Sequence, residues 1–177
     1  MEKAAITLEL HNEDKELVID EIMRRYGQDI LQLTYSYVKD RAISEDLTQE
    51  IFIKCYRKLH TYNKNAKLKT WLCRIAINHC KDYLKSWYNR NVQVSKFESP
   101  QSTESTPEEE VIQRSEEEEL VDVVMNLPTK YRELIYLHYF EEMTFKQIAE
   151  VTELNINTIK TRMRKAKTLL QEMLGGS

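Results

Sequence analysis

A chain of 177 residues that is 41% hydrophobic and 31% charged is too apolar to be disordered throughout, and it is long enough for one or two small domains. No apolar run approaches the roughly 20 residues that a bilayer-spanning helix needs, and the acidic start MEKAAITLELHNEDKE lacks the basic-then-apolar order of a signal peptide. The expectation is a cytoplasmic protein without direct membrane insertion. The net charge of −3 hides a division, because residues 54–97 hold eleven Lys or Arg against one acid, Asp82, while residues 96–122 hold ten acids against two bases. That local −8 leaves +5 for the rest of the chain, so the acidic sum does not argue against a nucleic-acid partner.

Only three Gly and three Pro interrupt a nearly continuous helical periodicity, which predicts an all-α fold. Residues 1–15 lack a clear period and are expected as a loose arm. Residues 16–38 form a helix on the spacing of Ile19, Ile22, Met23, Tyr26, Ile30, Leu33 and Tyr37, with Gly27 as a possible kink. After a turn at 39–43, residues 44–87 read as two helices joined by a polar loop at 63–69. Ser44 is the expected N-cap, with Glu45 and Asp46 in the first turn. Leu47, Ile51, Cys55 and Leu59 make one buried stripe, and Asp46, Gln49 and Glu50 fall off it, on a face open to a partner.

The second of these helices, with Thr70 as its expected cap, carries Trp71, Arg74, Asn78, Lys81, Tyr83, Lys85 and Trp87. Cations interleaved with Tyr56, Tyr62, Trp71, Tyr83, Trp87 and Tyr88 suit single-stranded nucleic acid, since cations track phosphates and rings stack bases. The same residues also fit a solvated charged face over an aromatic core. Cys55, Cys73 and Cys80 read as packing thiols. No C-x-x-C or H-x-x-x-H spacing supports a zinc site on Cys73, His79 and Cys80, although a redox role for Cys73 or Cys80 stays open.

Residues 88–114 have no amphipathic pattern, and SPQSTESTPEEE cannot bury enough apolar surface to order itself. We place a first domain at 16–90, an acidic flexible linker at 91–114 and a second helical domain at 115–174. In the second domain Leu120, Val121, Val124 and Met125 share one side of a helix that Leu127 and Pro128 end. Thr129 is the expected cap of the next helix, with Tyr131, Leu134, Ile135 and His138 inward. After a break at Glu141 and Glu142, Thr144 and Gln147 form a T-x-x-Q capping box, with Met143 and Ile148 in the staple positions. A turn at 152–155 follows, then a helix capped by Asn155 or Asn157 whose inward face is Ile156, Ile159, Met163, Ala166 and Leu170. Residues 155–170 hold five bases and no acid, so this helix-turn-helix presents a basic second helix suited to the major groove.

Two long ordered motifs carry a resemblance. EDLTQEIFIKCYRKL and KTWLCRIAINHCKDYL resemble region two of the sigma-70 family, in its small extracytoplasmic-function group. The pattern D-x-x-Q-E-x-F is met by Asp46, Gln49, Glu50 and Phe52, and T-W-L-x-R-I-A-x-N by residues 70–78. The helix-turn-helix resembles region four, except that the usual P-x-G-T-V lead-in is here Asn155-Ile156-Asn157-Thr158-Ile159. This departure leaves the fold intact but puts the bases read at that end in question.

The resemblance implies a promoter-specificity subunit of bacterial core RNA polymerase rather than an enzyme, with no cofactor, metal or small-molecule substrate. It implies that Asp46, Gln49, Glu50 and Phe52 dock on the polymerase. Asn65, Lys67, Lys69, Trp71, Arg74, Asn78 and Lys81 would meet the −10 element as single-stranded DNA, with a flipped base entering a pocket at loop 63–69. Asn157, Thr158, Lys160, Thr161, Arg162, Arg164 and Lys165 would meet the double-stranded −35 element. The linker would run through basic channels of the polymerase, and an anti-sigma factor would hold the protein inactive, in some cases at a membrane. The rival from another class is a dimeric helix-turn-helix regulator of duplex operators, which leaves Asp46, Gln49 and Glu50 without a role. A sigma-like binding module without transcription would leave the aromatic–basic surface idle. No P-loop, Ser/His/Asp set or paired catalytic carboxylates support a hydrolase or transferase.

Overall fold

The computed structural model describes residues 15–63, 65–94 and 116–175. All regular structure among them is helical. In order, these are α1 (Lys15–Val38), α2 (Arg41–Lys58), a 3-10 turn (Leu59–Thr61), α3 (Leu68–Val94), α4 (Glu116–Asn126), α5 (Thr129–Ile135), a π-helical turn (Tyr136–Phe140), α6 (Phe145–Thr152) and α7 (Ile156–Gly175). Most of the arm and of the acidic linker lies outside the described residues.

The first three helices close on one another because each carries an apolar stripe at helical spacing. Ile22, Ile30 and Leu33 of α1 meet Ile51, Phe52 and Cys55 of α2 and Leu72, Cys73, Ala76, Ile77 and Cys80 of α3, all buried, and Leu47 of α2 is buried as well. Full burial of each Ile or Leu stabilises by roughly 1.5–3 kcal/mol. Met23 departs from the expected stripe and stays exposed. Thr34 and Ser36, buried on α1, satisfy their hydroxyls by donating to the carbonyls of Ile30 (2.7 Å) and Leu33 (2.6 Å).

Several boundaries differ from those expected. Helix α2 begins a turn before Ser44, because Asp40 is the cap: its carboxylate accepts from the Ile43 N–H at 2.9 Å. Ser44 is instead buried and donates to the Asp40 carbonyl. Thr70 is likewise a buried residue inside α3, and the Lys67 carbonyl accepts the bond from the Trp71 N–H at 3.1 Å. Thr129 is the first residue of α5 rather than its cap, which is Pro128, a residue preset for a helix start by its fixed φ. Residues 88–94 continue α3 instead of opening the linker. Gly27 lies within an unbroken α1.

The second half follows its sequence signals more closely. The capping box is complete, with the Thr144 hydroxyl accepting from the Gln147 N–H (3.3 Å) and the Gln147 carboxamide oxygen accepting from the Thr144 N–H (2.9 Å). Met143 and Ile148 are both buried. Glu153 ends α6 in the left-handed region (φ 60°), and the Asn155 side chain caps α7 by accepting from the Asn157 N–H at 2.8 Å. Ile159, Met163 and Ala166 are buried, whereas Ile156, expected with them, is exposed. Leu120 and Val121 also remain exposed, and Val121 borders an apolar groove of about 590 Å³ with Tyr35 and Phe140.

The two halves share one contiguous core, with α3 against α6 and α1 against α5. Arg132 of α5 is buried between them. It donates to the carbonyls of Ser36 and Tyr37 at the end of α1, to those of Met125 (2.9 Å) and Leu127 (2.8 Å) at the end of α4, and to the Thr129 hydroxyl (3.2 Å). No described helix is long and apolar enough to cross a membrane.

A methyl group at Gly27 would meet no atom within 4 Å, and the residue has no positive φ. Gly27→Ala should therefore raise unfolding free energy by about 1 kcal/mol, read as a higher urea midpoint with an unchanged slope. All three cysteines are free and buried, and burial pushes each thiol up to about 12, which disfavours the reactive thiolate. At about pH 8 we expect iodoacetamide to leave Cys55, Cys73 and Cys80 unmodified in the native protein and to alkylate all three in denaturant, as counted by mass spectrometry.

Candidate nucleic-acid interface

The turn after α2 and the start of α3 build a cleft of about 1060 Å³. The Tyr62 hydroxyl donates to the Ala66 carbonyl at 2.9 Å, and the Asn63 side chain accepts from the Asn65 N–H at 3.2 Å, so the short loop folds back on itself. Tyr62 also tilts against Trp71 with ring centroids 5.5 Å apart. Trp71 is half-buried and leans on the core, so it joins packing to a partly open ring face. One α-helical turn separates Trp71, Arg74 (or Ile75), Asn78 and Lys81 or Asp82, which is why they line the same wall.

This cleft gathers five of the seven −10 candidates, namely Asn65, Trp71, Arg74, Asn78 and Lys81. Lys67 is exposed but outside the wall, and Lys69 turns away from it. Lys54, Lys58 and Tyr62 complete the lining. They were legible only as part of a basic, aromatic stretch, because no spacing rule joins α2 to α3. The exposed rings of Trp87 and Tyr88 lie farther along α3, outside the cleft.

Glu150 and Glu153 of the second half stand at the cleft edge. The Arg74 Nε donates to the Glu150 carbonyl at 3.0 Å. Lys81 pairs with the buried Glu133 at 3.2 Å, and the same carboxylate accepts from the Tyr37 hydroxyl at 2.7 Å. Lys69 lies between Asp29 (3.0 Å) and the buried Glu141 (2.7 Å). Burial opposes the Lys69 charge, but these two carboxylates prevail and hold its pKa well above the usual lysine value. Burial, reinforced by Glu133, likewise raises the Tyr37 phenol.

On the other side of α3, Asp46, Gln49 and Glu50 are exposed on α2. Phe52, grouped with them by motif, is buried at 4% exposure and serves the core, so it has no surface to offer a docking partner directly. Glu50 bonds the His79 Nε2 at 2.8 Å, and Lys54 reaches His79 Nδ1 at 2.7 Å. The lysine donates there, so Nε2 carries the imidazole proton and donates to Glu50. Lys54, His79 and Asp82 line both the cleft and a shallower groove of about 420 Å³ that includes Asp46 and Glu50. Among the described residues no group of three or more His, Cys, Asp or Glu side chains is arranged to hold a metal ion.

Helix α7 is differently disposed. Asn157, Lys160, Thr161, Arg164 and Lys165 are exposed, while Thr158 and Arg162 are half-buried. The Thr161 hydroxyl donates back to the Asn157 carbonyl at 2.9 Å. Among the described residues no carboxylate pairs with Lys160, Arg162, Arg164 or Lys165.

Comparison with known proteins places these two surfaces in two defined segments. The sigma-70 region 2 family model matches residues 22–89, and the model of sigma-70, region 4 matches residues 117–170. The chain is 30% identical over 152 residues to the ECF RNA polymerase sigma factor SigM of Bacillus subtilis (strain 168), covering 84% of this chain and 92% of that one. It is 29% identical over 163 residues to SigW of the same organism, covering 87% of each. Among solved structures, the sigma factor RpoE in complex with the anti-sigma factor NepR from Bartonella quintana is similar at a TM-score of 0.70 and 22% identity, over 88% of this chain and 96% of that one. With both regions matched in order, and a relative this similar over most of its length, the chain belongs to the sigma-70 family of RNA polymerase sigma factors, in its extracytoplasmic-function group.

Proposed function

We propose that this chain binds bacterial core RNA polymerase and directs promoter-specific initiation, with region 2 opening the −10 element and region 4 reading the −35 element. The observation that carries this reading is the cleft that gathers Asn65, Trp71, Arg74, Asn78 and Lys81 within the region 2 match. The exposed Asp46, Gln49 and Glu50 supply an acidic face for a basic partner surface on the polymerase. Extruding a base costs a few kcal/mol of stacking and pairing, in general terms. Stacking on an aromatic face returns about 1–3 kcal/mol per base, and phosphate contacts add to it. In this division Trp71 takes the stacking, Asn78 a base edge, and Lys67, Arg74 and Lys81 the phosphates, while Lys69, turned away from the cleft, takes none.

Region 4 offers α7 to the major groove, with Asn157, Thr158, Lys160, Thr161, Arg164 and Lys165 toward the bases or backbone and Arg162 on phosphate. The chain acts as an initiation factor and not as an enzyme, it works in the cytoplasm, and an anti-sigma factor restrains it. The anti-sigma partner is proposed from the family and from the RpoE–NepR complex.

The test is reconstitution with core RNA polymerase on fragmented genomic DNA, with mapping of transcript 5′ ends. Discrete starts that share two motifs and vanish without the protein support the reading, and a folded protein that forms no polymerase complex overturns it. Asn78→Ala should lower promoter opening about tenfold while leaving polymerase affinity unchanged, since a good base contact is worth about 1–3 kcal/mol. Asp46→Lys combined with Glu50→Gln should do the reverse, weakening the polymerase complex first. Permanganate footprinting and a binding titration separate the two steps.

A further inference from the structure

Two asparagines stand at the start of α7, where the usual lead-in carries proline and glycine. The structure gives them different tasks. The Asn155 side-chain oxygen is spent on capping, because it accepts from the Asn157 N–H at 2.8 Å. The Asn157 backbone is engaged on both sides, since its carbonyl accepts from the Thr161 hydroxyl at 2.9 Å. Asn157 is itself exposed, and among the described residues no hydrogen bond engages its carboxamide. It shares the outward side of α7 with Thr161 and Arg164, one and two turns on, away from the buried Ile159, Met163 and Ala166. A carboxamide presents an acceptor and a donor side by side. In the major groove adenine alone offers the matching pair, an N7 acceptor beside an N6 donor. Guanine offers two acceptors there, cytosine a donor, and thymine an acceptor beside its methyl group.

We propose that Asn157 specifies an adenine in the −35 element through its carboxamide. This inference rests on the reading that α7 enters the major groove at that element. The carboxamide nitrogen donates to adenine N7, and the carboxamide oxygen accepts from the N6 amino group. Residues at the start of a recognition helix are the ones that reach base edges. The exposed Lys160, Arg164 and Lys165 are left for phosphates, which fix register without reading sequence. The glycine of the usual lead-in has no side chain for such a contact, so this chain gains a base preference where glycine leaves the pair unread. The two backbone bonds hold the start of the helix, and only the Asn157 side-chain torsions remain to be ordered on binding.

The test uses the full chain with core polymerase on a promoter library randomised across the −35 element, and sequences the DNA retained in complexes. Wild type should enrich adenine at the position read by Asn157 about tenfold over the other bases. Asn157→Ala should level that position and leave the other −35 and −10 preferences in place. Asn157→Asp, which keeps the size and suits a helix start but lacks the donor for N7, should lose the adenine preference too. It replaces the alanine variant should that one lose helicity by circular dichroism. Putting 7-deazaadenine, which lacks the N7 acceptor, at that position should weaken binding by the wild type and leave binding by Asn157→Ala unchanged. An adenine preference that survives in both variants overturns the proposal. So does a loss of binding that is uniform across all sequences, which marks a backbone contact, or a wild-type −35 motif without adenine. If no −35 motif emerges at all, the assignment of α7 to that element fails, and this inference fails with it.

Discussion

One buried guanidinium ties the two halves of this structure to each other. Arg132 has five N–H donors and finds five acceptors, four of them main-chain carbonyls at the ends of α1 and α4. A helix end leaves its last carbonyls without partners and carries partial negative charge, so a cation there is doubly favoured. Burial works against the Arg132 charge and lowers its pKa, yet a guanidinium stays protonated through such a loss. Its contacts with α4 and Thr129 are internal to the second half, while those with Ser36 and Tyr37 cross to the first. The same side chain therefore organises region 4 and fastens it to region 2.

Around that centre, charged clusters are set into the interface beside the apolar core that the two halves share. Tyr37, Lys81 and Glu133 form one cluster, and Asp29, Lys69 and Glu141 another. Neighbouring Glu142 takes a left-handed backbone conformation at φ 52°, part of the sharp turn between the π-helical segment and α6. Charged clusters of this kind are specific in register but modest in net stability, because each buried charge has given up its hydration. The apolar stripes of α1, α2 and α3 are a sounder source of stability, and they lie within one half.

The proposed polymerase face and DNA cleft are two sides of one thin wall. Lys54, His79 and Asp82 belong to both, and the Lys54–His79–Glu50 chain runs through it. The imidazole accepts on one nitrogen and donates on the other, so a single ring bridges Lys54 and Glu50.

Much of this architecture was legible in the order of residues. Helical periodicity located the helices of both halves, and the local caps at Thr144 and Asn155 were readable because a cap bonds within three residues of itself. The motif residues Asp46, Gln49 and Glu50 emerged exposed, and the periodicity along α7 left Lys160, Arg164, Lys165 and Lys167 outward, with Arg162 half-buried. Where local signals competed, the sequence was a poorer guide. Asp40 displaced Ser44 as the cap of α2, Thr70 was drawn into the helix, and Phe52 proved to belong to the buried core. The sequence left two readings of the aromatics, and tertiary structure divided them: Trp71 leans on the core at the cleft, while Trp87 and Tyr88 stand exposed beyond it.

The sequence by itself determined what is local: which stretches are helical, where their apolar faces run, and which two family segments they compose. Only the tertiary structure decided what those segments do to each other. Arg132 and Glu133 read as ordinary charged helix residues, because their partners Ser36 and Tyr37 lie 96 positions away and no short-range period connects them. Whether Lys69 and Lys81 face solvent or a buried carboxylate depends on how two separately patterned halves meet, and pairwise charge in a linear chain does not encode that meeting.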